Sequence, residues 1–342
     1  MTGRSISVRR CFPVLAGILF SMVFSSCTAQ TEERVDGMTF VASINEIEQN
    51  AFDPLLELKA NWTAIIPYGF LYDTDSDSIS YNHPRQWWGE RTDGARKSIQ
   101  LAQSAGLRVM LKPQIWIGSG AYTGNVTHDS EEHWKKLEDS YRAYILEFAQ
   151  IAADENVALF CIGTEWDKFI QARPRFWSAL IDEVRAIYSG KLTYAANWDE
   201  YKRIPFWDQL DYIGVDAYFP LSDEASPSLE TLQAGWQPWL AEITAVSART
   251  NTPVLFTEWG YVSTDYAGKE PWKNMGRDYK VNNELQSRLY QAMINTAGKQ
   301  EWYAGGFVWK YHHDPSRRGF ERRFTPQDKL AWDTLRQWFL QR

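Results

Sequence analysis

Cysteine is nearly absent: the 342 residues hold three. Cys11 and Cys27 fall in the first thirty residues, which leaves Cys161 alone in the rest of the chain. A disulfide framework and a CxxC zinc site are thereby excluded. Cys161 lies in an apolar run and reads as a small buried hydrophobe rather than a nucleophile. There is no lysine- or arginine-rich run, and 36 basic against 43 acidic residues give a net charge of −7. A nucleic-acid partner, which wants a basic face, does not fit that balance. The phosphate-cradling sequences GxGxxG and GxxxxGK(S/T) are missing as well. The apolar run at 12–24, broken by Pro13, Gly17 and Ser21, is too short to span a bilayer.

That run has another use. Arg9 and Arg10 precede it and small residues follow, the layout of an export signal. Phe24-Ser25-Ser26-Cys27 resembles a bacterial lipobox, with Phe where Leu is usual. Residues 1–27 are therefore expected to be a lipoprotein signal cut before Cys27, which becomes the lipidated N-terminus. An ordinary secretory signal cut near Ala29 is the alternative. Either sends the protein out of the cytoplasm, and the first adds a membrane partner through the lipid. Residues 28–37 read as a polar tether and 38–342 as one folded domain, expected to act as a monomer.

What the chain has in excess is aromatic side chains: 17 Trp, 17 Tyr and 17 Phe, 15% of all residues. Flat rings with a polar edge stack on the C–H faces of sugars, and they also fill cores. Composition alone leaves both uses open.

Past the tether, short apolar runs alternate with amphipathic stretches. Strands are expected at 38–43, 64–69, 108–114, 158–163, 192–196, 212–216, 253–257 and 304–309. Helical spacing marks 47–60, 94–105, 131–155, 174–188, 229–250, 282–297 and 328–340, with only a short helical turn at 204–209. Pro54 interrupts the first or forms its opening turn, and Pro174 opens the fourth. Eight strands alternating with helices, without a composition break, predict a single-domain (β/α)8 barrel of the α/β class.

In such a barrel the chemistry sits where strands end. Strand three runs into Lys112, Pro113, Gln114 and Trp116, and strand four into Thr164, Glu165 and Trp166. Strand five gives Asn197 and Trp198, strand six Asp216 and Tyr218, strand seven Glu258 and Trp259, strand eight Trp309. Glu165 and Glu258 thus follow strands four and seven, which face each other across a closed barrel, each in a Thr-Glu-Trp triplet. Glycoside hydrolysis needs two such carboxyls, about 5–5.5 Å apart for retaining chemistry. Their repulsion raises one pKa, so that one stays protonated near neutrality. Lys112, Gln114 and Trp116 share one strand parity and point to the interior or mouth. A lysine there either binds substrate or meets a carboxylate. Asp216 is the carboxylate that could hold Lys112, or a substrate hydroxyl, or form a structural salt bridge. His312 and His313 are adjacent, point apart and have no third ligand at suitable spacing, so no metal is expected.

The chain resembles glycoside hydrolase family 113, a family of clan A whose characterised members are mainly β-mannanases. The resemblance rests on Leu111-Lys112-Pro113, Gly163-Thr164-Glu165, Tyr194-Ala195-Ala196-Asn197-Trp198, the segment 211–220, Phe256-Thr257-Glu258 and Gly306-Phe307-Val308-Trp309. It implies Glu165 as acid/base, Glu258 as nucleophile, Tyr218 as the tyrosine that hydrogen-bonds the nucleophile, and Trp309 as the floor under the sugar. It also implies no cofactor and no metal. Thr164 stands where most clan members have Asn, so Asn197 or Lys112 is expected to take over the sugar hydroxyls. With Gln114, Trp116, Thr164, Trp166, Trp198, Asp216 and Trp259 these residues form the expected substrate surface. The expected activity is endo-β-1,4-mannanase on mannan-type hemicellulose. The alternatives are another β-linked glycan, or a silent glycan-binding surface lipoprotein.

Overall fold

A computed structural model describes residues 1–3, 33–273, 278–314 and 320–342. Cys27 and the expected signal lie outside the described residues. Within the unit Arg34–Arg342 eight parallel strands close into a barrel in chain order: β1 (Val35–Phe40), β2 (Trp62–Ile65), β3 (Arg108–Leu111), β4 (Leu159–Thr164), β5 (Lys191–Asn197), β6 (Tyr212–Asp216), β7 (Val254–Trp259) and β8 (Tyr303–Tyr311). The last strand pairs with the first, Val35 opposite Gly305 and Met38 opposite Val308.

The sequence dictates this closure. Strands such as VDGMTF and LFCIGT are buried along their whole length, as parallel strands covered on both faces must be. Alternate residues therefore feed two cores. Trp62, Met110, Leu159, Cys161, Leu255 and Phe307 fill the barrel interior. The other parity packs under the helices. Gly37 leaves room in the interior for Phe307: a Cβ there would lie 2.4 Å from its ring. Cys161 is fully buried and its thiol is pushed up to about 11 by that burial, as a packing residue should be.

The helices follow their local signals. Ser130 caps Glu131–Asp154 by accepting from His133 N–H at 3.2 Å, and Trp134, Leu137, Tyr141, Tyr144, Ile145 and Phe148 form its buried stripe. Pro54 and Pro174 sit in the first turns of their helices. Asn251 ends Leu229–Thr250 in the left-handed region, φ 52°. Between β5 and β6 the described chain makes only two 3-10 turns, Tyr201–Arg203 and Trp207–Gln209.

Strand ends differ from the sequence reading, most consequentially in the first three strands. The first strand begins at Val35, inside the expected tether, because Asp36 N–H donates to Asn61 Oδ1 at 2.9 Å while Arg34 pairs with the Asp36 carboxylate at 2.7 Å. The expected strands 64–69 and 108–114 each break at a proline, Pro67 and Pro113, which has no N–H for the ladder. Beyond the breaks the chains pair again as a separate parallel ribbon, Tyr68–Leu71 with Gln114–Ile117, in register Tyr68 to Gln114 and Phe70 to Trp116.

Closure leaves one test in the backbone. Gly305 sits at φ 122°, and a Cβ there would lie 2.2 Å from Val35 O. Gly305→Ala should cost about 3 kcal/mol from strain and overpacking. A lower urea midpoint at unchanged m-value is expected; an unmoved midpoint would contradict the β1–β8 closure described.

Candidate active site

The charged residues of the barrel mouth come from strands three, four, six and seven. Lys112 is the first residue after β3, and its side chain is fully buried. Its Nζ donates to Glu258 Oε1 and lies 3.4 Å from Asp216 Oδ1. Gln114 Nε2 donates to the same Glu258 oxygen at 2.7 Å, and Tyr218 OH donates to Oε2 at 2.8 Å. Both oxygens of Glu258 therefore meet donors. Thr257 Oγ1 donates to Asp216 Oδ1 at 2.8 Å, tying β7 to β6.

This knot has one cation for two carboxylates. Burial disfavours the Lys112 ammonium, but Asp216 and Glu258 outweigh it and hold the lysine above its usual pKa. Burial, with Glu258 next, pushes Asp216 up to about 7 against the pull of Lys112 and Thr257. Burial and then Glu258 also raise the Tyr218 phenol well above its ordinary value, so it stays a donor.

Glu165 stands apart from these donors. It is half-buried and adopts φ 55°, the left-handed region, at the end of β4. A non-glycine there costs on the order of 1–3 kcal/mol. Its N–H donates to Ala195 O at 2.9 Å. Desolvation, then repulsion from Asp216, Glu258 and Glu200, holds its carboxyl well above the usual carboxylate range, with Lys112 opposing. One carboxyl is thus favoured to keep its proton, while the other is ion-paired.

Both open into one cavity of about 390 Å³, walled by Tyr68, Trp116, Tyr122, Trp272, Trp309 and Phe324. A second cavity of about 670 Å³ continues from it, sharing Tyr68, Trp116, Trp309 and Lys310 and adding Phe70, Arg85 and Trp87. Trp272 is held from behind by Trp198, the rings stacked at 5.3 Å and 16°.

The structure brings most of the expected residues together. Glu165, Glu258, Tyr218, Asp216, Gln114, Trp116, Thr164 and Trp309 line the cavity. Lys112 lies behind Glu258 and meets carboxylates, settling that side of the alternative. Thr164 Oγ1 is buried without a hydrogen-bond partner among the described residues.

Four residues are placed elsewhere. Trp259 alternates with Glu258 and so points outward, packing on Tyr290 and Trp338. Trp166 is turned away by the left-handed residue before it and packs on Tyr141 and Phe169. Trp198 supports Trp272 instead of facing the cavity. Asn197 is not in the lining: its side-chain amide donates to Asp199 at 3.1 Å, its side-chain carbonyl accepts from Trp198 N–H at 2.9 Å, and it also meets Tyr122 of the cavity wall. His312 and His313 line a different cavity from Glu165 and Glu258, His312 against Phe320 and His313 stacked on Phe40. Among the described residues no group of three or more His, Cys, Asp or Glu is placed to hold a metal. Sequence reasoning missed Phe324, which reaches the cavity from an irregular loop with no periodic signal. Tyr68, which follows strand two in the sequence, reaches the mouth on the ribbon.

The family model described as Glycoside Hydrolase Family 113 matches residues 44–322. Among solved structures, the family-113 β-mannanase AaManA of Alicyclobacillus acidocaldarius, in complex with ManMIm, is 23% identical, with 91% of this chain and 98% of that chain covered and a TM-score of 0.80. A family-113 β-1,4-mannanase solved as a complex is 22% identical over 91% and 100%, TM-score 0.79. A β-glucuronidase of Faecalibacterium prausnitzii is more distant: 16% identical over 90% and 49%, TM-score 0.58. At these identities the likeness is one of fold. No curated protein matches the sequence.

The electrostatics can be tested without substrate. Asp216 is the second cause, after burial, that raises Glu165. Asp216→Asn should therefore lower the Glu165 pKa while leaving it above that of an exposed glutamate. Carboxyl-region difference infrared titration reads this, with Glu165→Gln assigning the band. An unshifted Glu165 titration would contradict the coupling.

Proposed function

The chain belongs to glycoside hydrolase family 113, and on that premise we propose a retaining endo-β-1,4-mannanase that cleaves mannan-type hemicellulose. The observation that carries the chemistry is the pair of unlike carboxyls in one aromatic cavity. Glu258, lashed to Lys112, Gln114 and Tyr218, is aimed as a nucleophile. Glu165, biased toward its acid form, is suited to give a proton to the departing oxygen. Attack of Glu258 on the anomeric carbon with that proton transfer forms a glycosyl-enzyme. Glu165, now a carboxylate, removes a proton from the water that releases the sugar with retained configuration. Trp309 lies against this site as the sugar's floor. Thr164 Oγ1, without another partner, is the donor we assign to a substrate hydroxyl in the place of the usual Asn. The family's mannanases at 22–23% identity support the choice of mannan.

We place the enzyme outside the cytoplasm, on a lipid anchor at Cys27, and take it to act as a monomer. The lipobox-like Phe24-Ser25-Ser26-Cys27 supports the anchor. Fatty-acid labelling that survives Cys27→Ala would overturn it, and sedimentation of the folded unit at twice its mass would overturn the monomer.

Glu165→Gln should lower turnover by about 10²- to 10⁴-fold and Glu258→Gln by at least as much, both with unchanged unfolding. Azide should partly restore Glu258→Gly as the glycosyl azide. Near-wild-type activity in either glutamine variant would remove the assignment. Reducing-sugar release from mannan, cellulose, xylan and β-glucan side by side decides the substrate. Preference for a glycan other than mannan replaces mannan and keeps the chemistry. Binding without hydrolysis of any of them leaves a glycan-capture protein.

A further inference from the structure

One buried carboxyl has no part in the chemistry above. Glu200 lies in the loop after β5, wholly inaccessible to solvent. Its Oε2 accepts from Asn197 N–H at 3.0 Å and its Oε1 from Tyr194 OH at 2.8 Å. The same phenol oxygen accepts from the backbone N–H of Trp166 at 2.6 Å. Amide, hydroxyl and carboxyl thus form one directed chain from β4 to β5. Its starting point is the peptide unit that joins Glu165 to Trp166, directly after the residue at φ 55°. The Glu165 N–H, on the other side of that residue, is held by Ala195 O at 2.9 Å. Both flanks of the left-handed residue are therefore pinned to β5, one by main chain and one by Tyr194.

An acceptor at Glu200 gives the chain its direction. Tyr194 has a single proton. With that proton committed to Glu200, its oxygen is free to accept from the Trp166 amide; turned the other way, proton would face proton. Asp167 and Arg203, paired with each other at 2.7 Å, Tyr122 and Glu165 are the other titratable groups that interact with Glu200. Burial pushes Glu200 itself up to about 8.

We propose that Tyr194 and Glu200 are positioning residues for the acid/base. Through the Trp166 amide they hold Glu165 in its left-handed conformation, where its carboxyl reaches the leaving-group oxygen. The proposal rests on Glu165 being the acid/base.

The test compares leaving groups. An aryl β-glycoside with a 2,4-dinitrophenyl group departs without a proton, whereas the phenyl glycoside needs one. Both are made on the disaccharide of whichever glycan the enzyme cleaves. In Tyr194→Phe, which keeps the ring, kcat/KM on the phenyl substrate should fall about ten- to a hundredfold. On the dinitrophenyl substrate it should stay within about twofold of wild type. Glu200→Gln keeps an acceptor for Tyr194, removes the charge that the carboxyl takes on above about pH 8, and sets an NH₂ group against the Asn197 amide. It should show the same selectivity and move the alkaline limb of the kcat/KM profile to lower pH, because Glu200 is one of the charges that raise Glu165. Equal losses on both substrates, or no loss on either, would overturn the proposal. Glu165→Ala is the control: if it lacks the leaving-group selectivity, the acid/base assignment itself fails. If it has it and Tyr194→Phe does not, only the positioning role falls.

Discussion

The mouth of the barrel is organised by one buried ammonium. Removing a lysine from water is expensive unless charges of opposite sign compensate it. Lys112 meets two, on β6 and β7, from its place at the end of β3. The need to satisfy that cation fixes where Asp216 and Glu258 can lie, and Thr257, Gln114 and Tyr218 complete the hydrogen bonding. Pro113 contributes indirectly. By ending the ladder after Lys112 it frees the chain to turn over the mouth, which brings Gln114 and Trp116 to the same cavity.

Much of this was legible in the sequence because barrel strands are short, apolar and punctuated. Glu165 and Glu258 were found by strand order, and the parity of Lys112, Gln114 and Trp116 survived even the break at Pro113. What failed was neighbour reasoning. Trp166 and Trp259 stand beside glutamates in the chain, yet alternation in one case and a left-handed residue in the other turn them into the helical layer. Glu200 escaped notice since nothing in its local sequence announces burial. It is recognisable only once β5 brings Tyr194 between it and Trp166.

The aromatic excess divides into two populations, one in the core and one at the cavity. Trp177, Trp207, Trp236 and Trp259 are fully buried and bind strands to their covering elements. Trp116 and Trp272 are half exposed at the cavity. The stack of Trp272 on Trp198, itself edge-on to Trp239, joins the populations. A ring braced this way has less freedom to lose when a ligand covers its open face.

The left-handed Glu165 has a consequence for how the protein could change over evolutionary time. Glycine would occupy φ 55° without the steric penalty that glutamate bears. Its flexibility in the unfolded chain offsets only part of that gain. With Glu165 in the proposed acid/base role, position 165 is a place where selection for robustness and selection for turnover pull apart. A lineage that stopped needing the reaction would have reason to lose this side chain early, and the scaffold would outlast the chemistry.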